Sequence, residues 1–593
     1  NTIVGTSAGG SITSGSYNVL MGDGAGRGIT TTNENVLIGH ETGVSLNGHY
    51  NSCVGFKNLN AAASGQFNTS MGFAALNRYT GDENVAIGAY ALHYATTASR
   101  STAIGMQAGF QISTGDENTM VGYKAGQNIN TGEYNVGLGS LATLAMTTGT
   151  FNVALGRTAL YQLTTGTNNI GIGYDAFQAI TTQGYNTGVG GSVGTFQTGN
   201  YNTSMGYFSN YGVSTASSGS YNSTYGYFAG AYNRGENNTF LGALAGRFNS
   251  TGVRNTIVGS QAADNATITG NDNTALGFGA AHNISSAIEN VSIGSYSFFA
   301  ANGSYNIAVG KETLYYTSGN GNTALGHRAG HSCTSGGNNV FVGGTVAHNV
   351  TSGYDNIGMG NDAMYELTTG ANNIAIGRYA VRYVYGANGN IGIGYQALGG
   401  AALSGSGYNV AVGHVAGYSI TNGTNNILLG NDAGRSNSPS GTISTGSNIV
   451  CLGNSSITDL YCADTTISSS DARDKTDIED FNIGLDFIIQ LQPKTYKWDK
   501  RAWYINPDNE EEDLLDIIPD GSKKAERVNV GMLAQDVLEL EKQYGYGNDR
   551  NDMLFVAQTP DEKSYGLKYE RLVPVLINAI KELKEEIELL KSK

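Results

Sequence analysis

The sequence predicts a mostly β protein: a repetitive β-solenoid or β-roll shaft over residues 1–455, a linker over 456–469, and a small α+β domain over 470–593. Three observations carry this. A short motif recurs about every 17 residues as far as Gly430. Glycine is abundant in that stretch and proline nearly absent. At Ser470 the composition turns abruptly to dense charge.

Composition narrows the possibilities first. A chain of 593 residues exceeds one ordinary core, so several domains or a repeat array is expected. Glycine at 86 residues with only 6 prolines excludes collagen, and 40% hydrophobic content excludes a disordered glycine-serine linker. A net charge of −15 disfavours nucleic acid and anionic membrane surfaces as partners. No apolar run approaches the roughly 18 residues that span a bilayer, so no membrane insertion is expected. The chain opens at Asn1 without a methionine. The numbering is therefore expected to begin inside a longer or processed product. Cys53, Cys333, Cys451 and Cys462 are scattered and read as isolated core thiols.

The repeat is visible in "NTIVGTSAG", "NTMVGYKAG", "NVALGRTAL" and "NILLGNDAG". Its glycine recurs 26 times from Gly5 to Gly430, and Asn stands four residues before it in every copy but one, where Ser101 replaces it. Alternation within Asn-Thr-Ile-Val-Gly is the period of a strand. Seventeen residues suit one solenoid coil, read here as two short strands and two turns. The glycine supplies a corner with positive φ, the Ala three residues later fits a narrow interior, and the Asn side chains stack into a hydrogen-bonded ladder. One coil buries little alone, so stability must come from its neighbours in the stack or from other chains.

Few side chains of the array suggest chemistry. His327 and His331 stand four apart, as a helical metal pair would, but they fall in the turn of the repeat with no third ligand, so no metal is expected. The acidic "GDEN" at 81–84 and 115–118 reads as solvated turn rather than a glycosidase carboxylate pair. Tyr17, Tyr50, Tyr134, Tyr185, Tyr201, Tyr221, Tyr305 and Tyr408 all directly precede a motif Asn. In register they form aromatic ladders, with stacking as the leading role and surface or glycan contact as the second.

From Ser470 onward, 124 residues hold 18 basic and 27 acidic side chains. "IGLDFIIQLQPKTYKW" reads as an amphipathic helix stopped near Pro493 and followed by a strand, and "VNVGMLAQDVLELEKQYG" as a strand entering a helix. A coiled coil is expected over 567–593, where Val573, Leu576, Ile580, Leu583, Ile587 and Leu590 keep strict 3-4 spacing. All eight histidines precede residue 415, so this domain cannot build a Ser-His-Asp triad of its own. A serine nucleophile needs another base. Lys475, five residues after Ser470, can serve once burial in an assembly leaves its amine neutral. Asp471 and Arg473 are expected to shape the turn or form an ion pair. The plainer alternative makes Ser470 and Asp471 capping residues before a helix.

The "N-x-x-[IVL]-G" motif resembles the head repeats of trimeric autotransporter adhesins, which are parallel β-rolls around a threefold axis, and repeats of bacteriophage tail fibres. "SDARDK" at 470–475, "LDFIIQLQPKTYKW" at 485–498, "GMLAQDV" at 531–537 and "YERLVPVLINAIKEL" at 569–583 resemble, in order, the intramolecular chaperone domain of endosialidases and phage tailspikes. This second resemblance implies a homotrimer and a single self-cleavage between Ser469 and Ser470, with Ser470 as nucleophile and Lys475 as base. It implies no cofactor and no activity on other substrates. The expected protein is a phage tail fibre or related host-adhesion fibre of the virion tail, extracellular once assembled, that joins other virion tail proteins through a missing N-terminal part and meets a host cell-surface receptor, with a glycan among the candidates. The rival readings are a bacterial trimeric surface adhesin, which needs a C-terminal membrane anchor, and a tailspike enzyme degrading a surface glycan. The coil pattern alone, β-branched at a and Leu at d, favours two strands; the shaft resemblance favours three.

Overall fold

One coil shows how seventeen residues close on themselves. In the coil that begins at Asn118, Thr119–Val121 is a three-residue strand whose middle residue, Met120, points inward with Ala125 and Ile129, all three fully buried. Gly122 turns the corner at φ +136, a conformation that side-chain-bearing residues avoid, and its N–H donates to the Ile104 carbonyl of the preceding coil (2.7 Å). Beyond it the backbone changes hand on alternate residues, with Lys124 at φ +56 and Gly126 at φ +60. Donors alternate in direction: Lys124 N–H reaches back to Met106 O (2.9 Å), and Gly126 N–H reaches forward to Ala142 O (2.9 Å). Every coil is thus tied to both neighbours through its turn as well as its strand.

This corrects the expected count of two strands per coil. The second half of each repeat bonds to its neighbours as a strand does, but its alternating left- and right-handed residues keep it from being extended.

The computed structural model describes residues 1–593 except 62–63, 213–218, 384, 401–402, 404–406, 458–459, 461–470, 505–512 and 560. It divides into Asn1–Arg328 and Ala329–Lys593. The first unit carries twenty strands, β1 (Thr2–Val4) to β20 (Thr323–Leu325), each paired in parallel with the next. The second carries β21 (Val340–Val342) to β27 (Val450–Leu452) in the same arrangement. The predicted fold class holds: a mostly β chain with 27 short parallel strands at a spacing near 17 residues. The strand β27 was missed in the sequence because 23 residues separate Gly430 from Gly453 and Ile449 replaces the motif Asn.

The Asn ladder is present as expected. Asn169 Nδ2 donates to Asn152 Oδ1 (3.1 Å) and to the Gln183 carbonyl (2.8 Å), and its Oδ1 accepts from Asn186 N (3.1 Å) and Nδ2 (3.2 Å). Ser101 continues the ladder in shortened form, donating its N–H to Asn84 Oδ1 and accepting from Asn118 N–H. Removing one rung strands buried partners on both sides. Asn169→Ala should therefore cost roughly 1–3 kcal/mol per chain. Asn168 beside it is exposed at φ +59, so an alanine there would carry its own left-handed strain; Asn168→Gly is the fitting control. Thermal melts of the two variants check this, with Asn168→Gly near wild type.

After the shaft, the second unit contains α1 (Leu485–Ile488), β28 (Lys494–Lys497), β29 (Val528–Gly531), α2 (Ala534–Gln543), β30 (Val556–Gln558), β31 (Tyr565–Leu567) and α3 (Leu572–Lys591). The pairs β28–β29 and β30–β31 are antiparallel. Phe487, Val537, Leu538, Phe555, Val556 and Val575 form a core separate from that of the coils. The first helix is a single turn, shorter than expected: Gly484 offers no side-chain cap, and Pro493 biases Gln492 away from helical backbone. The C-terminal helix starts at Leu572 rather than 567, because residues 565–567 pair with Val556–Gln558 instead.

Candidate cleavage and assembly site

The predicted scissile residues Ser469 and Ser470 lie outside the described residues. Immediately after them, Asp471 caps a 3-10 turn, Ala472–Asp474, its carboxylate accepting from Arg473 N–H (2.9 Å). The same carboxylate pairs with the Arg473 guanidinium (Nε to Oδ1 3.0 Å), which holds the Asp471 carboxyl below its usual range. Asp471 and Arg473 thus form an ion pair within this turn. Lys475 closes that turn, its N–H donating to the Ala472 carbonyl (3.3 Å), and its side chain is exposed.

Downstream, α3 holds the segment that leaves this turn. Asn578 Nδ2 donates to the carbonyls of Phe481 (2.6 Å) and Ile483 (3.2 Å), and Glu582 accepts from Leu485 N–H (2.6 Å). Upstream, the end of the shaft is held by the same domain. The Ser455 carbonyl accepts from Lys500 Nζ (3.0 Å) and Trp503 Nε1 (3.2 Å), while Asp561 accepts from Thr442 N–H (3.0 Å). Lys500 also lies 5.0 Å from the Trp498 ring and 5.6 Å from that of Trp503, and burial pushes its ammonium pKa down. Both ends of the linker are thus anchored to the C-terminal domain.

Sequence reasoning missed these anchors. One signal was there: the chain's only two tryptophans fall at 498 and 503. The buried Glu541 was also missed. Its carboxylate accepts backbone N–H groups from Leu554, Phe555 and Val556, fixing the strand that opens at Val556 against α2.

The remaining candidates resolve structurally. Tyr50 stacks on Phe67 (4.7 Å), Tyr134 on Phe151 (4.9 Å), and Tyr185, Tyr201 and Tyr221 form a continuous stack (4.9 and 5.0 Å). Tyr17, Tyr305 and Tyr408 stand exposed at the same position of their coils. All eight tyrosines have φ between +58 and +61, the left-handed turn that aims each ring along the stack. Where "GDEN" at 115–118 occupies this turn, Arg100 of the preceding coil pairs with Asp116 (3.3 Å) and Glu117 (2.9 Å), a solvated turn ladder as expected. His331 stacks on His348 (5.0 Å) and His348 on Tyr365 (5.3 Å), so these imidazoles belong to a ring ladder. No group of three or more potential metal ligands occurs among the described residues. Cys53, Cys333 and Cys451 are buried, and burial pushes the Cys53 thiol up to about 12; Cys462 lies outside the described residues.

Fold and site together define a parallel β-solenoid followed by a small α+β domain that grips the last coil. Residues 470–546 of that domain match the family model described as chaperone of endosialidase, a family of self-cleaving chaperone domains. The match begins at the predicted nucleophile, and residues 547–593 fall outside it. No curated protein matches the chain, and no solved structure does.

Proposed function

We propose that this chain is a fibre or tailspike of a phage virion, assembled as a homotrimer by its C-terminal domain, which then cuts itself off between Ser469 and Ser470. The observation that carries the reading is the double apolar character of α3. Val575 and Ala579 are buried against their own domain, while Val573, Leu576, Ile580, Leu583, Ile587 and Leu590, at coiled-coil spacing, are 42–69% exposed. A helix with a bare heptad stripe on a chaperone-family domain is built to meet copies of itself. Lys475 is then the base that takes the Ser470 proton in the assembled particle. The attack of Ser470 Oγ on the Ser469 carbonyl moves the acyl group from the Ser470 nitrogen, which takes up a proton, to the side-chain oxygen, and hydrolysis of that ester by water then splits the chain. The stacked tyrosines cover one another's faces and present edges and hydroxyls, a hydrogen-bonding rather than ring-stacking surface toward a host glycan.

The test is the fragment pattern on a denaturing gel. Full-length chain should yield a 124-residue piece whose N-terminal sequence starts at Ser470. Ser470→Ala, Lys475→Ala and Lys475→Arg should assemble yet stay uncut, because guanidinium keeps its proton and packing does not depend on the dyad. A fragment that persists in Ser470→Ala, or that starts elsewhere, would mean an ordinary protease-sensitive linker.

A further inference from the structure

Several arginines of the coils meet a carboxylate. Arg100 pairs with Glu117 (2.9 Å), Arg254 with Asp272 (2.7 Å), Arg328 with Glu312 (2.6 Å) and Arg435 with Asp432 (3.0 Å). Arg378 and Arg382 are held differently, by aromatic rings. Arg378 lies 4.5 Å from the centroid of the Tyr379 ring. Arg382 lies 4.7 Å from that same ring, 5.1 Å from Tyr383 and 5.8 Å from Tyr365. Among the described residues neither guanidinium has a carboxylate partner, and Arg382 Nε is buried without a hydrogen bond.

The acids of the preceding coil are committed elsewhere. Asp362 accepts from Thr345 Oγ1 (2.5 Å) and Asn361 Nδ2 (2.6 Å), and Glu366 accepts from Asn349 Nδ2 (2.8 Å). The backbone under the two arginines is fixed from both sides. Tyr379 N–H donates to Asn361 O (3.1 Å), Val381 N–H to Ala397 O (2.8 Å), and the Arg382 carbonyl accepts from Glu366 N–H (2.9 Å). The ring ladder of His331, His348 and Tyr365 continues into Arg382, and the next coil has Gly399 at that position, which adds no side chain over it. A guanidinium with its flat side on a ring keeps its N–H edge for an oxyanion.

We propose that Arg378 and Arg382, with Tyr379 and Tyr383, form a receiving site for an acidic sugar, whose carboxylate or phosphate supplies the counter-charge the coils withhold. This rests on the host-glycan reading above and gives that glycan a charge. Two guanidinium groups that share the Tyr379 ring repel each other, and one oxyanion relieves that repulsion while accepting paired N–H donors. Arg378 Nη2 donates to the Tyr379 hydroxyl oxygen (2.8 Å), which leaves the phenol proton free to donate to a sugar hydroxyl. The net charge of −15 does not gather polyanions from a distance, so the site acts at short range on single acidic groups.

Arginine labelling of the full-length wild-type chain tests this without altering the fold. Phenylglyoxal is applied with trigalacturonate, with neutral galactotriose or with inorganic phosphate, and each labelled peptide is read by mass spectrometry. Saturating trigalacturonate should slow labelling of Arg378 and Arg382 roughly tenfold or more, and leave the ion-paired Arg254 unchanged. Galactotriose should protect neither. By calorimetry, Arg378→Gln should weaken trigalacturonate binding roughly tenfold or more, and Arg378→Lys should recover only part, since an ammonium lacks the planar fork. Equal labelling with and without trigalacturonate overturns the site. Protection by galactotriose as strong as by trigalacturonate overturns the role of charge, and equal protection by phosphate overturns the sugar. The fibre reading is measured separately, by native mass and by the cleavage fragment, so its failure is distinct from loss of this site.

Discussion

Gly122→Ala is expected to weaken the shaft by roughly 3 kcal/mol or more per chain, the sum of a glycine-only backbone conformation and a steric overlap. At φ +136 an added β-carbon would lie 2.5 Å from the Gly139 carbonyl oxygen of the next coil. Neither partner can yield, because Gly122 and Gly139 are both tied into the coil-to-coil ladder by their N–H groups. In a one-dimensional stack this local loss opens the neighbouring coils while more distant ones hold. Gly521→Ala is the comparison: φ is +84, nothing lies within 4 Å, and only left-handed strain of about 1 kcal/mol is expected. Melting curves together with hydrogen exchange at 105–139 read both. Equal shifts for the two variants would show that the corner is not sterically closed.

Removing residues 470–593 is expected to abolish correct assembly of the shaft. A repeat array offers many nearly equivalent registers, since each coil resembles the next, whereas a domain with its own core and helix offers one. Truncation also strips Ser455 of its contacts with Lys500 and Trp503, and Thr442 of Asp561, leaving the last coil without its cover. Residues 1–469 expressed alone should give aggregates or mispaired species on gel filtration. Soluble shaft of a single defined mass from that truncation would show that the array aligns itself.

Periodicity decides what is legible in the sequence. Asn118, Gly122 and Ala125 recur in coil after coil, so the repeat alone is enough to assign them as ladder, corner and interior. The handedness of the second half is not legible, because Lys124 and Gly126 look like ordinary turn residues and only the backbone shows their alternation. In the C-terminal domain, local patterns announce α2 and α3. The contacts that grip the linker stay hidden, as Lys500 and Trp503 lie 45 and 48 residues from Ser455 and leave no local signature. The proposed dyad stands furthest from what can be read. Its residue types and spacing are written at Ser470 and Lys475, but Ser470 lies outside the described residues.

The native mass of the uncut Ser470→Ala chain is the most direct test of assembly through the C-terminal domain. The expected particle holds three chains, each of about 61.9 kDa, with α3 stripes covered by one another. A particle of one chain, or of the two that the β-branched-a, Leu-d pattern of α3 favours by itself, would contradict it.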